Sequence, residues 1–372
     1  MIAVVALALV PALAGAARAH DGGQTGARTH TATAVATSDQ PDPPSRPAPA
    51  QAPAVGRHRW VDLQFAALET RYRFIETSNG ATSATQWQHK EGVKAAFKLD
   101  AAGRYTIQTM IGTGGSFTGS WDPTGVGTGD PTFNLRVRHL AAMARPLVGL
   151  EVSAGSFDAL RGESTEITTF DNDAFIEGYR ASLKRPAEVF FDELSVTAGY
   201  LGDLTTANVF RRLKRLNDHN YTQVLIGKAL GRVSLSADWT SLNLVSTFHQ
   251  AAHVALAGGR VIDGVRLELY QRRDGRTDRG FALAADRTFA TRLSVSGGYA
   301  DIDLDQPPLN GDRFLRGRRL FAASKLALAP RLTLSTFYTR AVRNEVAIAN
   351  HQRLDVILTY DVVKALQRHG AW

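Results

Sequence analysis

The stretch RVSLSADW, residues 232–239, alternates without a break. Val233, Leu235, Ala237 and Trp239 fall on one side, and Arg232, Ser234, Ser236 and Asp238 on the other. Successive side chains of a strand point to opposite faces, so a period of two predicts a strand with one apolar and one polar face. VRLELYQR (265–272) repeats the pattern, with Val265, Leu267 and Leu269 against Arg266, Glu268, Tyr270 and Arg272. FNLRVRHL (133–140) sets Phe133, Leu135 and Val137 against Asn134, Arg136 and Arg138. RLDVILTYDV (353–362) sets Leu354, Val356, Leu358, Tyr360 and Val362 against Arg353, Asp355, Thr359 and Asp361, with Ile357 the one apolar intruder. Similar runs are GRYTIQTMIG, LVGLEVSAG, FIEGYRASLK, NYTQVLIGK, RLSVSGGYA and RLTLSTFYT. The best helical candidate is short, NVFRRLKRLN (208–217).

The connections between these runs alternate in length. Short ones lie at 99–104, 144–149, 184–188, 229–232, 288–292 and 327–331, with a somewhat longer one at 257–264. Between them stand longer polar, Gly-rich segments near 77–85, 114–132, 157–174, 201–219, 272–279, 301–313 and 342–352, and a poorly defined one between Trp239 and Phe248. Seven short and eight long connections predict sixteen strands in an all-β, antiparallel, up-and-down sheet with both ends on the short-turn side. The ambiguous 240–256 region leaves fourteen or eighteen open.

The chain has 372 residues and no cysteine, and its 43 Lys+Arg exceed 35 Asp+Glu for a net charge of +8. It opens with an apolar run from Ile2 to about Leu13, then Ala17-Arg18-Ala19, the h-region and small-residue cleavage site of a signal peptide over 1–19, cut after Ala19. No basic residue precedes the run, which suggests a true start upstream of Met1; the alternative is a retained N-terminal anchor. Residues 20–56, rich in Pro, Ala and Thr, read as a disordered periplasmic linker. The folded part is then 57–372. No later segment is long and apolar enough for a transmembrane helix.

A soluble sandwich or solenoid would also alternate. The second face of most strands is polar, however, and mean hydropathy is only −0.16, too little apolar material to pack two sheets. A closed membrane barrel needs one apolar face per strand, toward lipid, and closure satisfies every backbone group. Trp60, Trp87, Tyr105, Tyr179, Trp239, Tyr299 and Tyr338 near strand ends suit interfacial girdles.

On the signal peptide, the turn-and-loop alternation and the last strand RLDVILTYDVV, residues 57–363 resemble the Gram-negative outer-membrane β-barrels, porins in particular. The resemblance is one of architecture, with no subfamily motif. It implies insertion by the outer-membrane assembly machinery, contact with membrane lipid and lipopolysaccharide, passage of small polar solutes, and a homotrimer. Such barrels end in an aromatic residue that the machinery reads. Here Trp372 is separated from the strand by KALQRHGA, so the signal falls either there or at Tyr360–Val363.

A barrel of about sixteen strands leaves an aqueous channel, and pore width and lining charge set what passes. Arg136, Arg138, Arg180, Arg266 and Arg272, with Lys184, share the polar parity, a wall suited to carboxylate and phosphate. The acidic stretch RGESTEITTFDNDAFIEGYR (161–180) overlaps the third long connection. Folded inward, its Glu163, Glu166, Asp171 and Asp173 would oppose Arg136, Arg138 and Arg180 across a constriction. Glu177 has the lipid-side parity of Phe175 and Tyr179 and is expected above the membrane. The other readings of this loop are a plain external loop, a calcium site that lacks EF-hand spacing, and a carboxylate pair that lacks a rigid frame.

Other chemistry is sparse. His249 and His253 are four apart without the Glu of a zinc helix, and no G-x-S-x-G nucleophile element occurs. The Gly-rich segment 112–130 lacks the G-K-[ST] ending of a phosphate loop. RRLKR (211–215) reads as a solvated outer-loop face able to meet lipopolysaccharide phosphates, with no nucleic-acid role. The chain is therefore read as a channel, with no enzymatic activity, metal or cofactor. The alternative is a plugged or narrow barrel acting as a receptor or structural protein through its long loops.

Overall fold

The computed structural model describes residues 60–368, except 118, 170–174, 185–189, 204, 257–260, 291, 303–316 and 343–350. The first 59 residues, where the signal peptide and linker are expected, and Trp372 lie outside this range.

Seventeen strands occur among the described residues: β1 (Val61–Glu76), β2 (Thr82–Lys98), β3 (Tyr105–Gly112), β4 (Asp122–Gly127), β5 (Arg136–Leu147), β6 (Leu150–Asp158), β7 (Phe175–Lys184), β8 (Glu193–Tyr200), β9 (Tyr221–Leu230), β10 (Val233–Leu242), β11 (Val245–Ala255), β12 (Gly264–Asp274), β13 (Arg276–Phe289), β14 (Leu293–Ile302), β15 (Gly317–Ala329), β16 (Leu332–Ala341) and β17 (Gln352–Asp361). Each pairs antiparallel with its sequence neighbour, except around β4. That short strand pairs with the far end of β2, while β3 pairs directly with β5. Sixteen strands thus form the wall. β1 and β17 close it through an unbroken register from Ala67↔Asp361 to Glu76↔Gln352.

Alternation sorts the two faces. Leu68, Val93, Ile107, Val196, Leu283 and Leu320 point outward and are exposed, whereas Gln88, Thr197, Gln223, Asp238, Glu268 and Asp355 point inward and are buried. This inverts the usual burial of apolar and exposure of polar groups. The aromatic residues Trp87, Tyr105, Tyr179, Trp239, Tyr299 and Tyr338 all take the outward register.

All seven connections at one end are short. Leu147 pairs with Leu150 around Gly149 (φ 80°), and Val233 with Leu230 around Gly231 (φ 62°), left-handed positions that suit glycine. At the other end, two connections expected to be long are tight. β10 turns into β11 through Asn243 and Leu244 (φ 50° and 70°), with the Asn243 side-chain oxygen accepting from Asn220 Nδ2 at 3.1 Å. β12 turns into β13 at Gly275 (φ 70°). The polar run 272–279 continues the hairpin because Arg272 pairs across it with Asp278.

The helical candidate forms α1 (Val209–Arg212), capped by the Asn208 side chain, and one 3-10 turn (Leu213–Arg215). This segment lies against the outer face of the wall. Asn217 accepts from the Tyr179 hydroxyl at 2.9 Å, and Arg215 stands 4.3 Å above the Tyr200 ring. Arg212 donates to both carboxylate oxygens of Glu177 at 2.7 Å and stacks 3.7 Å from Phe117. Glu177 keeps the outward register expected of it, opposite Ser156 and Tyr200, but is fully buried, because the connection folds down over it. After β17, α2 (Val362–Arg368) continues the chain at the short-turn end.

Removing one partner of a buried ion pair leaves the other charge uncompensated, at a cost of about 3–5 kcal/mol. Arg212→Ala should therefore lower the urea midpoint of unfolding markedly. Arg212→Met combined with Glu177→Leu should recover most of the loss, because no lone charge remains.

Candidate functional site

The connection from β6 to β7 enters the barrel. Gln223 Nε2 on β9 donates to Leu160 O at 2.8 Å, and Glu163 N donates to Ser236 Oγ on β10 at 2.8 Å. Gly162 (φ 56°) lies so close to Ser236 that a Cβ there would stand 2.7 Å from the Ser236 Cβ. The Glu268 carboxylate on β12 accepts three hydrogen bonds: from Thr165 N (3.0 Å), Thr165 Oγ1 (2.7 Å) and Thr168 Oγ1 (2.7 Å). His249 Nε2 on β11 meets Thr168 O at 2.5 Å, and its other ring nitrogen meets Asp238 at 3.3 Å. Beyond this polar latch, Ile167 is buried with Tyr270, Ala282, Ala300, Ile302, Phe321 and Phe337. Hydrogen bonds to a charged group contribute about 1.5–3 kcal/mol each, so the Glu268 bonds and the apolar contact together hold residues 159–169 against the β9–β12 wall.

A second charged region spans the seam. Arg73 Nε lies 2.9 Å from Asp355 Oδ1, and Arg353 Nη2 lies 2.5 Å from Asp355 Oδ2. Arg71 donates to Gln88 Oε1 at 2.5 and 2.9 Å, and its guanidinium stacks 4.0 Å from the Trp121 ring. Lys90 is 3.6 Å from Glu69 and 5.7 Å from the same ring. Arg319 on β15 points inward in register with Ala341, one step from Thr339 and Arg353. Arg71, Arg73, Arg319 and Arg353 are all at most 2% exposed. The side chains at this level are packed against protein.

The residues singled out in the sequence fall in separate places. Glu163 and Glu166 lie in the inward segment; Glu166 is fully buried, 3.7 Å from Arg161. Asp171 and Asp173 lie outside the described residues. Arg138 occupies a bulge of β5 and donates to the carbonyls of Thr113, Gly114, Phe117 and Gly119, so it anchors the 113–120 segment. Arg136 is exposed at the start of β5. Arg180 faces inward, bonded to Thr197 Oγ1 and Asp158 O and stacked 4.3 Å from Phe157. Arg266 and Arg272 face inward on β12, and Arg272 is 2.8 Å from Asp274. Lys184 sits half-exposed at the short-turn end, 3.9 Å from Glu193. These six cations are spread over β5, β7 and β12. The dense arginine cluster lies on β1, β15 and β17. Its signal was present in RYRF (71–74), where Arg71 and Arg73 alternate with Tyr72 and Phe74, and in Arg353 and Asp355, already on the polar face.

No known protein family matches the chain, and no curated protein is similar in sequence. Among solved structures, a variant of the Rhodopseudomonas blastica porin superposes with a TM-score of 0.51 at 12% identity, covering 81% of this chain and 99% of that one. OmpF of Salmonella typhi, solved in complex with daunomycin, superposes with a TM-score of 0.52 at 12% identity, covering 81% and 97%. The chain has a porin-like fold, a closed antiparallel barrel of sixteen wall strands.

Glu268→Ala removes all three latch bonds to residues 165–168. It should expose the 159–169 segment to limited proteolysis under conditions where the wild type is not cut there. Ile167→Ala, which deletes a buried side chain worth about 2–5 kcal/mol, should act in the same direction.

Proposed function

We propose that this protein is an outer-membrane, porin-like channel for passive diffusion of small polar or anionic solutes. The observation that carries this reading is the inversion of faces in a closed sixteen-strand barrel, apolar outward and charged inward. Apolar outer faces suit lipid, and closure leaves no unpaired backbone edge, which the bilayer requires. The porin-like neighbours support it at the level of fold. The N-terminal run of the sequence supports export by a signal peptide. Insertion by the assembly machinery, contact with lipopolysaccharide and a trimeric assembly belong to the same reading.

Selectivity in this reading comes from charge. The seam cluster of Arg71, Arg73, Arg319 and Arg353 gathers around Asp355, and Arg136, Arg180, Arg266, Arg272 and Lys184 add inward or rim-facing positive charge. Glu163 and Glu166 in the inward segment, with Asp171 and Asp173, supply the opposite sign. A transverse field of this kind orients dipolar solutes and disfavours apolar ones.

Folded protein in a planar bilayer should give steady single-channel currents with an anion-leaning reversal potential in asymmetric salt. Arg319→Gln combined with Arg353→Gln should move that potential toward cations. Arg136→Ala tests the rim; Arg138→Ala confounds pore charge with loss of the 113–120 anchor. The complete burial of the four seam arginines and the apolar cluster around Ile167 favour a second reading, a narrow or plugged barrel acting as a receptor or structural protein. A folded barrel that carries no current supports that reading and excludes the first.

A further inference from the structure

His249 is buried where β10, β11 and β12 meet the inward segment, and so is Asp238, its cross-strand partner on β10. His249 Nε2 lies 2.5 Å from the Thr168 carbonyl oxygen, and Nδ1 lies 3.3 Å from Asp238 Oδ2. A carbonyl oxygen only accepts, so Nε2 carries a hydrogen. Asp238 Oδ2 also accepts from Thr240 Oγ1 at 3.0 Å and from Gln223 Nε2 at 3.3 Å, so it too is an acceptor. Both ring nitrogens therefore donate, and only the imidazolium has two N–H groups. Neutral imidazole fits in neither tautomer. With the hydrogen on Nε2, the Nδ1 lone pair faces a carboxylate. With the hydrogen on Nδ1, the Nε2 lone pair faces the Thr168 oxygen. The charged ring also stands between two carboxylates, Asp238 on β10 and Glu268 on β12, and buried carboxylates are costly without a positive neighbour.

We infer that the second proton of His249 is a clasp on the inward segment: residues 165–169 are held against the wall while the imidazole is charged, and loosen from it when the imidazole is neutral. The clasp joins residues 81 apart in sequence. Other ionisable groups on the elements packed here have different tasks. On β12, Glu268 receives Thr165 and Thr168, and the Tyr270 ring stands 6.2 Å from the imidazole. Arg272, farther along that strand, meets Asp274 and Asp278. Tyr221 is buried on β9, and Arg161 stands 3.7 Å from Glu166 within the segment. Carboxylates ordinarily titrate below the histidine range and tyrosines above it, and arginine keeps its charge throughout. The sign follows from the geometry. The clasp is complete on the acid side of the His249 titration and is lost on the alkaline side, because the form that fits is the protonated one. Its effect on conduction rests on the channel reading; the clasp itself does not.

The test uses the full barrel in detergent, from about pH 6 to about pH 9, above the ordinary carboxylate range. Imidazole nitrogen NMR shifts follow the charge of His249, whose signal is assigned by its loss in His249→Gln. Subtilisin cleavage within 159–169, normalised at each pH to cleavage of casein, follows the segment. Cleavage should rise by about tenfold or more with pH, the factor that one lost charged hydrogen bond is worth. Its midpoint should coincide with the titration of His249. His249→Gln should be cut at the fast rate at every pH. Asp238→Asn separates a clasp from simple packing. The asparagine amide can donate to a neutral Nδ1 while Nε2 keeps its hydrogen for Thr168, so the segment should stay protected at the alkaline end. His253→Gln, on the same strand beside Asp286, is the control and should keep the wild-type step. A flat profile in the wild type overturns the inference. So does a step that survives in His249→Gln, or an Asp238→Asn barrel cut as fast as the wild type at alkaline pH. Bilayer current over the same range separates the two questions: a cleavage step in a barrel that never conducts sinks the channel alone, and current with a flat cleavage profile sinks the clasp alone.

Discussion

Each strand of this protein has a single apolar face, and that constraint governs everything else. Such strands cannot pack as two layers, because the second face is polar. They can form one sheet whose apolar side faces outward and whose polar side meets itself. An open sheet would expose two edges of unpaired backbone, so the sheet must close. Closure through β1 and β17 is thus the condition under which an outward Leu68 and an inward Arg71 can belong to the same strand.

The interior is then a problem in charge accommodation. Inward arginines and carboxylates are too costly to bury singly, and the structure resolves them locally. Asp355 serves Arg73 and Arg353, Arg138 is taken up by four carbonyls, and Glu268 is used to hold a loop. The same solution appears on the outer face, where a connection brings Arg212 to cover Glu177. Inward-folded segment and outward-folded segment are answers to one requirement, that no buried charge stand alone.

Much of the architecture was legible in the sequence, because period two and alternating connection length are local properties. Strand boundaries near Phe175–Lys184 or Val233–Leu242 follow from them directly. The two tight turns at Asn243–Leu244 and Gly275 were obscured because polar residues such as Arg272 and Asp278 can belong to a loop or to a hairpin, and only pairing decides. The candidate site was legible in its types of residue and not in its arrangement. Arg71 and Arg353 each look like ordinary polar-face residues. Their convergence depends on β1 meeting β17, which no local pattern encodes. Glu177 illustrates the opposite failure: its parity was readable, but its cover, Arg212, lies in a different connection.

The Arg73–Asp355 pair joins residues 282 apart in sequence. Contacts of such separation form late, because loop-closure entropy must be met before they contribute. Until the first and last strands meet, the contact between Arg73 and Asp355 cannot form. The charge balance of the interior is consequently a property of the finished ring and of no fragment of it. A barrel lacking either terminal strand loses this ion pair as well as gaining open edges. The seam thus couples electrostatic neutrality to completion of the chain.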